Sequence, residues 1–269
     1  MTKFAKRTLA GLEVSALGIG SSYGVSGDDV ERAFERGVNF FFWGSRRRAG
    51  FGDGVRRLAR TRRDEMVIAV QSYTRVGFLM GWSVRRALRA LGTDYVDVLG
   101  LAWWNAPPPR RILDAARRLR DEGKVKRIMI SCHDRPTFGA IVDDPTYDAI
   151  MVRYNAAHPG AEKDVFPHFA RRRPGSLAFT ATRWGTLLDP RLTPPGERTP
   201  RATDCYRFSL SSPHVDACLC GPRDGRELDL ALAALDEGPM SDDELAWMKK
   251  VGASVRTGAN PRVFATRTA

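Results

Sequence analysis

Eight short apolar runs recur along the chain, and between them the hydrophobic positions switch from continuous to helical spacing. The runs are VSALGIG (14–20), VNFFFW (38–43), MVIAVQ (66–71), YVDVLGLAW (95–103), RIMISC (127–132), AIMVRY (149–154), SLAFTA (176–181) and VDACLCG (215–221). Near-continuous apolar runs of this length are the pattern of parallel strands buried on both faces. Between them lie DDVERAFERG, DGVRRLARTR, SVRRALRALG, PRRILDAARRLRDEG and RELDLALAALDEG, whose apolar residues fall three and four apart. Several of these end in glycine, which helix C-termini favour. Alternating strands and helices of this number predict an α/β fold, a closed (β/α)8 TIM barrel with its functional groups at the C-terminal ends of the strands. An open doubly wound sheet fits less well, because no G-x-G-x-x-G follows the first run. No linker divides the chain, so residues 1–269 are expected to form a single barrel domain, with the Pro-rich stretch 189–204 as one of its loops.

Composition narrows the partners. Forty-three Lys and Arg against 31 Asp and Glu give a net charge of +12, which attracts anions. The arginines are spread over helix faces and match no nucleic-acid motif, so nucleic acid is the weaker expectation and a small anionic ligand the stronger one. Cys132, Cys205, Cys218 and Cys220 are too few and too scattered for a disulfide framework and read as buried reduced thiols. No three His, Cys or acidic residues stand at metal-ligand spacing, so no metal is expected. With neither a long apolar span nor the apolar core of a secretory signal, the expectation is a soluble cytoplasmic chain without a membrane segment.

The segments LAGLEVSALGIGSSYG, FERGVNFF, RDEMVIAVQ, ALRALGTDYVDVLGLAWWN, LRDEGKVKRIMIS, VRYNAAH and SDDELAWMKKVG follow one another at spacings that make the chain similar, over nearly its whole length, to the aldo-keto reductase family. The resemblance implies a barrel whose N-terminal face is capped by a short β-hairpin and whose C-terminal mouth carries an extended nicotinamide cofactor. It also implies carbonyl reduction by an Asp, Tyr, Lys and His tetrad, in which Tyr gives the proton. In this chain those four positions fall on Phe42, Arg47, Gln71 and Ala102. The standard mechanism is therefore expected to be lost. Of the cofactor contacts, Ser131 is in place, whereas Cys132 and Met151 stand where Asn and Gln are usual, and the aromatic that stacks on the nicotinamide falls near Thr180. The turn after the eighth strand, with Gly221, Arg223 and Glu227, resembles the family's adenosine-phosphate turn, which makes NADP the implied cofactor. A glycine turn, a helix start and an arginine suit any phosphate or carboxylate.

The remaining mouth candidates come from the strand ends. Trp43, Arg47 and Arg48 in FWGSRRR, Gln71, Trp103 with Trp104, and Arg153 are expected to bind a ligand: guanidinium grips an anion and cannot act as a proton donor at neutral pH. Tyr73 and His133 are the expected acid–base groups. Three readings follow. The first is a tetrad-deficient barrel that binds a small anionic or aromatic metabolite. The second is an NAD(P)H-dependent oxidoreductase with another proton donor, and the weakest is a nucleic-acid binder.

Overall fold

The computed structural model describes residues 3–21, 23–44 and 49–258; Arg47 and Arg48 lie outside the described residues. An antiparallel hairpin of β1 (Arg7–Leu9) and β2 (Leu12–Val14) comes first. It is followed by β3 (Leu17–Gly20), α1 (Gly27–Glu35), β4 (Phe40–Trp43), α2 (Ala49–Arg62), β5 (Val67–Ser72), α3 (Gly77–Leu91), β6 (Val96–Leu101) and α4 (Arg110–Asp121). The second half runs β7 (Val125–Ser131), α5 (Phe138–Asp143), β8 (Ala149–Arg153), α6 (Ala161–Asp164), β9 (Gly175–Phe179), α7 (Ala202–Ser211), β10 (Ala217–Cys220), α8 (Gly225–Glu237) and α9 (Asp242–Gly258). Strands β3 to β10 pair in parallel in chain order, and β10 returns to β3 to close the barrel. Each of the eight apolar runs supplies one barrel strand.

Strand alternation sorts the side chains into two cores. Phe40 and Phe42, Val67 and Ala69, Ala149 and Met151, and Ala217 and Leu219 point inward, joined by Leu9 and Val14 of the hairpin, which plugs the N-terminal end. The intervening residues, such as Phe41, Ile68, Ile128, Ile150 and Cys218, face the helices in the larger outer core. Gly18 makes room for the bulk on β4, since a Cβ there would stand 2.4 Å from the Phe40 ring.

At the N-terminal end, one device recurs on alternate strand pairs. The amide of Ser15 donates to Asn39 Oδ1 (2.7 Å), that of Ile68 to Asp97 Oδ2 (2.9 Å), that of Ile128 to Asp148 Oδ2 (2.8 Å) and that of Ser176 to Asp216 Oδ2 (2.7 Å). In each pair an acceptor beside the start of one strand satisfies an amide at the preceding strand, where the ladder alone leaves it unpaired. The three carboxylates also meet cations: Asp97 pairs with Arg63 (2.7 Å) and Lys126 (3.1 Å), Asp216 with Arg173 (2.7 Å), and Asp148 with Arg120 (3.7 Å).

Two helix starts differ from expectation. α3 begins at Gly77, so GFLMGW is helix, because Met80, Val84, Leu88 and Leu91 form a buried stripe that outweighs the cost of its glycines. Gly77 is needed there, as a Cβ would lie 2.8 Å from the Arg111 carbonyl of α4. Downstream of the Pro-rich stretch, α7 starts at Ala202, anchored by buried Asp204, which accepts from the Arg201 amide and pairs with Arg198 and Arg201. All four cysteines are buried and free, and burial raises the Cys205, Cys218 and Cys220 thiols far above their ordinary range. Among the described residues, no helix is long and apolar enough to cross a membrane, and no group of three or more His, Cys, Asp or Glu is placed to hold a metal ion.

The strand clamps yield a stability prediction. Asp97 is 2% exposed and holds an amide, an arginine and a lysine together, so Asp97→Ala should cost about 3 kcal/mol in urea unfolding. Asp97→Asn should cost clearly less, because its amide oxygen still accepts from Ile68 as Asn39 does from Ser15. Equal losses would show that charge, rather than the amide clamp, carries the contribution.

Candidate functional site

The inward-facing order of each strand continues to its C-terminal end and builds the mouth there. On β5, Val67 and Ala69 lead to Gln71; on β8, Ala149 and Met151 lead to Arg153; on β9, Leu177 leads to Phe179; on β7, Met129 leads to Ser131. Phe42 and Met151, both buried, make an apolar floor. Phe42 occupies the place the resemblance gives to an aspartate, and its ring lies 2.8 Å from where a Cβ on Gly44 would be.

One wall is aromatic. Tyr73 donates its hydroxyl hydrogen to Gln71 Oε1 (2.9 Å), and its ring meets Trp103 edge-on at 5.0 Å. Trp103 is 57% exposed and adopts φ 56°, a left-handed conformation unusual for an indole residue, held by its amide donating to Ser131 Oγ (3.0 Å). Ser131 thus fixes the rim as well as facing the mouth. Arg75 donates to the Trp103 carbonyl (2.8 Å) and lies over the Trp104 ring at 4.0 Å. Burial raises the Tyr73 phenol above its ordinary pKa.

The opposite wall is cationic. Arg153 is half-buried, and its guanidinium, 6.0 Å from the Trp184 ring, has no carboxylate or carbonyl acceptor among the described residues. Burial, and then the charge of Arg135, lowers its pKa. His133 stands beside it with its ring edge-on to Phe179 at 5.8 Å and its amide donating to Asn105 Oδ1 (3.1 Å). Burial and then Arg153 hold His133 below the usual histidine range. His158 is pushed down to about 4 by burial and then by Arg153, Arg183, Arg256 and Arg135. Asn155 ties this wall together: Nδ2 donates to the Thr180 carbonyl (2.8 Å), and Oδ1 accepts from the amides of Ala157 (3.0 Å) and His158 (2.9 Å). Beyond Thr180, Arg183 and Trp184 are both left-handed, a strained turn secured where the Arg183 guanidinium donates to the Val255 carbonyl of α9 (2.6 Å).

Gln71, Tyr73, Trp103, Ser131, His133 and Arg153 are therefore grouped at one mouth. Trp43 is not. With Phe40 and Phe42 inward its parity is outward, and its indole is buried against Gly52 of α2, 3.5 Å from where a Cβ there would stand. Trp104 likewise packs against the outer core. Phe179 was not singled out from the sequence, although counting by twos from Leu177 places it inward. Asn105 and Asn155, which position His133 and the cationic wall, carry no such signal.

The β10–α8 turn is occupied by its own carboxylates. Glu227 accepts from the Arg223 amide (2.8 Å) and from its guanidinium Nε (2.7 Å), while Asp224 accepts from the Glu227 amide (2.9 Å). The Tyr23 ring covers Gly221, 2.4 Å from where a Cβ would stand. Arg223 is paired with Glu227 on the surface, so a phosphate arriving at this turn would displace that carboxylate from the guanidinium. At the other end of the barrel, a cavity of about 850 Å³ is lined by Arg7, Arg172, Arg173, Asp148 and Asp216. Its arginines are committed to backbone carbonyls and to Asp216, as parts of the strand clamps and hairpin anchor.

Comparison with known proteins agrees with this architecture. A holo aldo-keto reductase from Bacillus halodurans superposes with a TM-score of 0.78 at 20% identity, over 93% of this chain and 96% of that one. An aldo/keto reductase from Klebsiella pneumoniae in complex with NADP and acetate gives 0.76 at 21% identity, over 93% and 96%. A putative 2,5-diketo-D-gluconic acid reductase B gives 0.74 at 21% identity, over 92% of each chain. The family profile described as the aldo/keto reductase family matches residues 26–203, and with its hairpin-plugged parallel barrel the chain belongs to that family.

Proposed function

We propose that the barrel binds a small anionic metabolite with an aromatic or apolar body at its C-terminal mouth, and that carbonyl reduction through the family's Asp, Tyr, Lys and His set is lost. The observation that carries this reading is Arg153. A half-buried guanidinium without an acceptor among the described residues, beside other arginines, is costly unless a ligand supplies the negative charge. A carboxylate or phosphate offers it two parallel hydrogen bonds. Phe179, Trp184 and the Tyr73–Trp103 pair give the ligand's body an aromatic surround.

Loss of reduction is supported by the character of the tetrad positions: Phe42 and Ala102 carry no proton, and Gln71 is a neutral amide. Tyr73 is a poor substitute, because burial favours its neutral phenol and Arg75 is engaged with the carbonyls of Tyr73 and Trp103. His133 is neutral at neutral pH and can take up a proton when an anion arrives.

A second reading, retention of NADP, is favoured by the Arg223 turn and by the Klebsiella relative, whose structure is described as a complex with NADP and acetate. For this chain it requires Glu227 to release Arg223. Bound NADPH would supply hydride; Arg223 would be the residue left to hold its phosphate, and Ser131 the one facing its far end.

Three measurements test these readings. With benzoate as the probe, indole fluorescence should report an affinity reduced at least about tenfold by Arg153→Met, the loss of one charge-assisted pair. Because an anion favours protonated His133, whose pKa is depressed in the free protein, affinity should rise as pH falls from about 7.5 to 5.5, and His133→Asn should flatten that slope. Unchanged affinity in Arg153→Met would overturn the anion reading. Second, calorimetry should show NADPH binding at least about tenfold tighter to Glu227→Gln than to the wild type, since the substitution frees Arg223 of its carboxylate. Equal affinities would show that Glu227 does not compete for the turn. Third, benzaldehyde with NADPH should be reduced at least about a hundredfold more slowly than by the Bacillus halodurans reductase assayed alongside. Turnover at a comparable rate, abolished when NADPH is withheld, would sink the claim that reduction is lost.

A further inference from the structure

We propose that the barrel rim formed by the start of α3 and the β5–α3 and β6–α4 connections docks on an anionic lipid surface. This goes beyond the ligand site, with which it shares Tyr73 and Trp103 at the rim, and its test rests on Phe78, Trp82, Arg86 and Arg89, which lie outside that site. Tyr73, Val76, Phe78, Leu79, Trp82 and Trp103 are all exposed, and they make up most of the exposed large apolar residues among those described. Phe78 is 78% exposed and Trp82 57%; one helical turn apart, they share a face of α3. Tyr73 and Trp103, in edge-on contact with one another, lie on the connections that flank the start of α3. A cluster of this size on a chain otherwise rich in charge marks a contact surface.

The charge around the patch selects its occupant. From Met66 to Thr93 the sequence has Arg75, Arg85, Arg86 and Arg89 and no carboxylate, and from Val98 to Leu113 it adds Arg110 and Arg111 and again no carboxylate. Arg85 pairs with Glu122, but Arg86, Arg89, Arg110 and Arg111 meet no carboxylate among the described residues. Aromatic and aliphatic side chains at the tip of a helix, with guanidinium groups nearby that meet no carboxylate among the described residues, match the interfacial zone of a bilayer with acidic headgroups. A second copy of the chain fits poorly, since two such surfaces would bring arginine against arginine. A single-stranded nucleic acid also fits less well: Arg75 lies over Trp104 and Arg86 over Trp82 at 5.2 Å, so indole faces that could stack on bases are in use, and Val76 and Leu79 have no stacking role. Docking of this kind requires no spanning helix.

Co-sedimentation tests it, using vesicles of phosphatidylcholine alone or mixed with phosphatidylglycerol. The wild type should pellet with the mixed vesicles at low salt and scarcely with phosphatidylcholine. Phe78→Ala/Trp82→Ala should bind the mixed vesicles at least about tenfold more weakly, and Arg86→Glu/Arg89→Glu several-fold more weakly, both with unchanged melting temperatures because these side chains are exposed. No pelleting with phosphatidylglycerol would overturn the proposal, as would pelleting that the aromatic substitutions leave intact. A dimer seen by light scattering and dissolved by Phe78→Ala/Trp82→Ala would assign the patch to a second copy instead. Oligonucleotide retention lost in that variant, without vesicle binding, would assign it to nucleic acid.

Discussion

Four side-chain oxygens at the N-terminal ends of alternate strands hold the register on which the whole mouth depends. A strand has a side-chain period of two, so a slip of one residue exchanges its inner and outer faces. Slipping β8 by one would turn Arg153 into the helix layer and bring Val152 into the mouth. By fixing an amide of β5, β7, β9 and the segment before β3, the acceptors Asp97, Asp148, Asp216 and Asn39 make such slips cost a buried hydrogen bond as well as core packing. The clamps lie at one end and the mouth residues at the other, so the mouth can vary without loosening the barrel. That division lets a family fold be kept while the positions to which the resemblance assigns the tetrad carry Phe42, Gln71 and Ala102.

The same alternation explains what the sequence made legible. The eight strands stood out because both of their faces are buried and their residues read as continuous apolar runs. The clamps are written there as well: V-N-F at 38–40, V-D-V at 96–98, Y-D-A at 147–149 and V-D-A at 215–217 each set one polar residue at a strand start. Parity counted from Phe40 would have turned Trp43 outward, and parity from Leu177 would have turned Phe179 inward. The start of α3 was hidden because GFLMGW has two glycines and an apolar surface, features that read as a loop until Met80 is seen to begin the buried stripe. Partnership was beyond reach of the sequence. That Arg153 has no acceptor among the described residues depends on which side chains long-range packing brings together, and no spacing rule gives that.

The net charge of +12 also resolves into two populations. Many arginines on the helices are spent locally, as Arg32 on Asp29 and Asp229, Arg57 on Asp28 and Glu31, and Arg207 on Glu244. These pairs stitch neighbouring helices together and cancel at a distance, and the exposed ones contribute little stability each. The guanidinium groups of Arg153, Arg86, Arg89, Arg110 and Arg111, which meet no carboxylate among the described residues, lie at the mouth and on the adjoining α3–α4 side. The field that an approaching anion meets is therefore directed, although composition presents the charge as diffuse.

Proton chemistry demands the opposite of what the mouth supplies. A general acid or base works best when its pKa lies near the working pH. At the mouth burial raises the Tyr73 phenol and, with Arg153, lowers His133; just behind it burial raises the outward-facing Tyr154 phenol and pushes the outward-facing Cys132 thiol up to about 11, while burial and neighbouring arginines push His158 down to about 4. Every one of these groups is displaced toward its uncharged form at neutral pH. What remains charged is guanidinium, which neither gives nor takes a proton in this range. Perturbed titrations at a reaction centre usually push paired groups toward one another's working range, one to give and one to receive. At this mouth they are pushed away from it together, leaving fixed cations above an apolar floor, which is the arrangement the proposed anion site calls for.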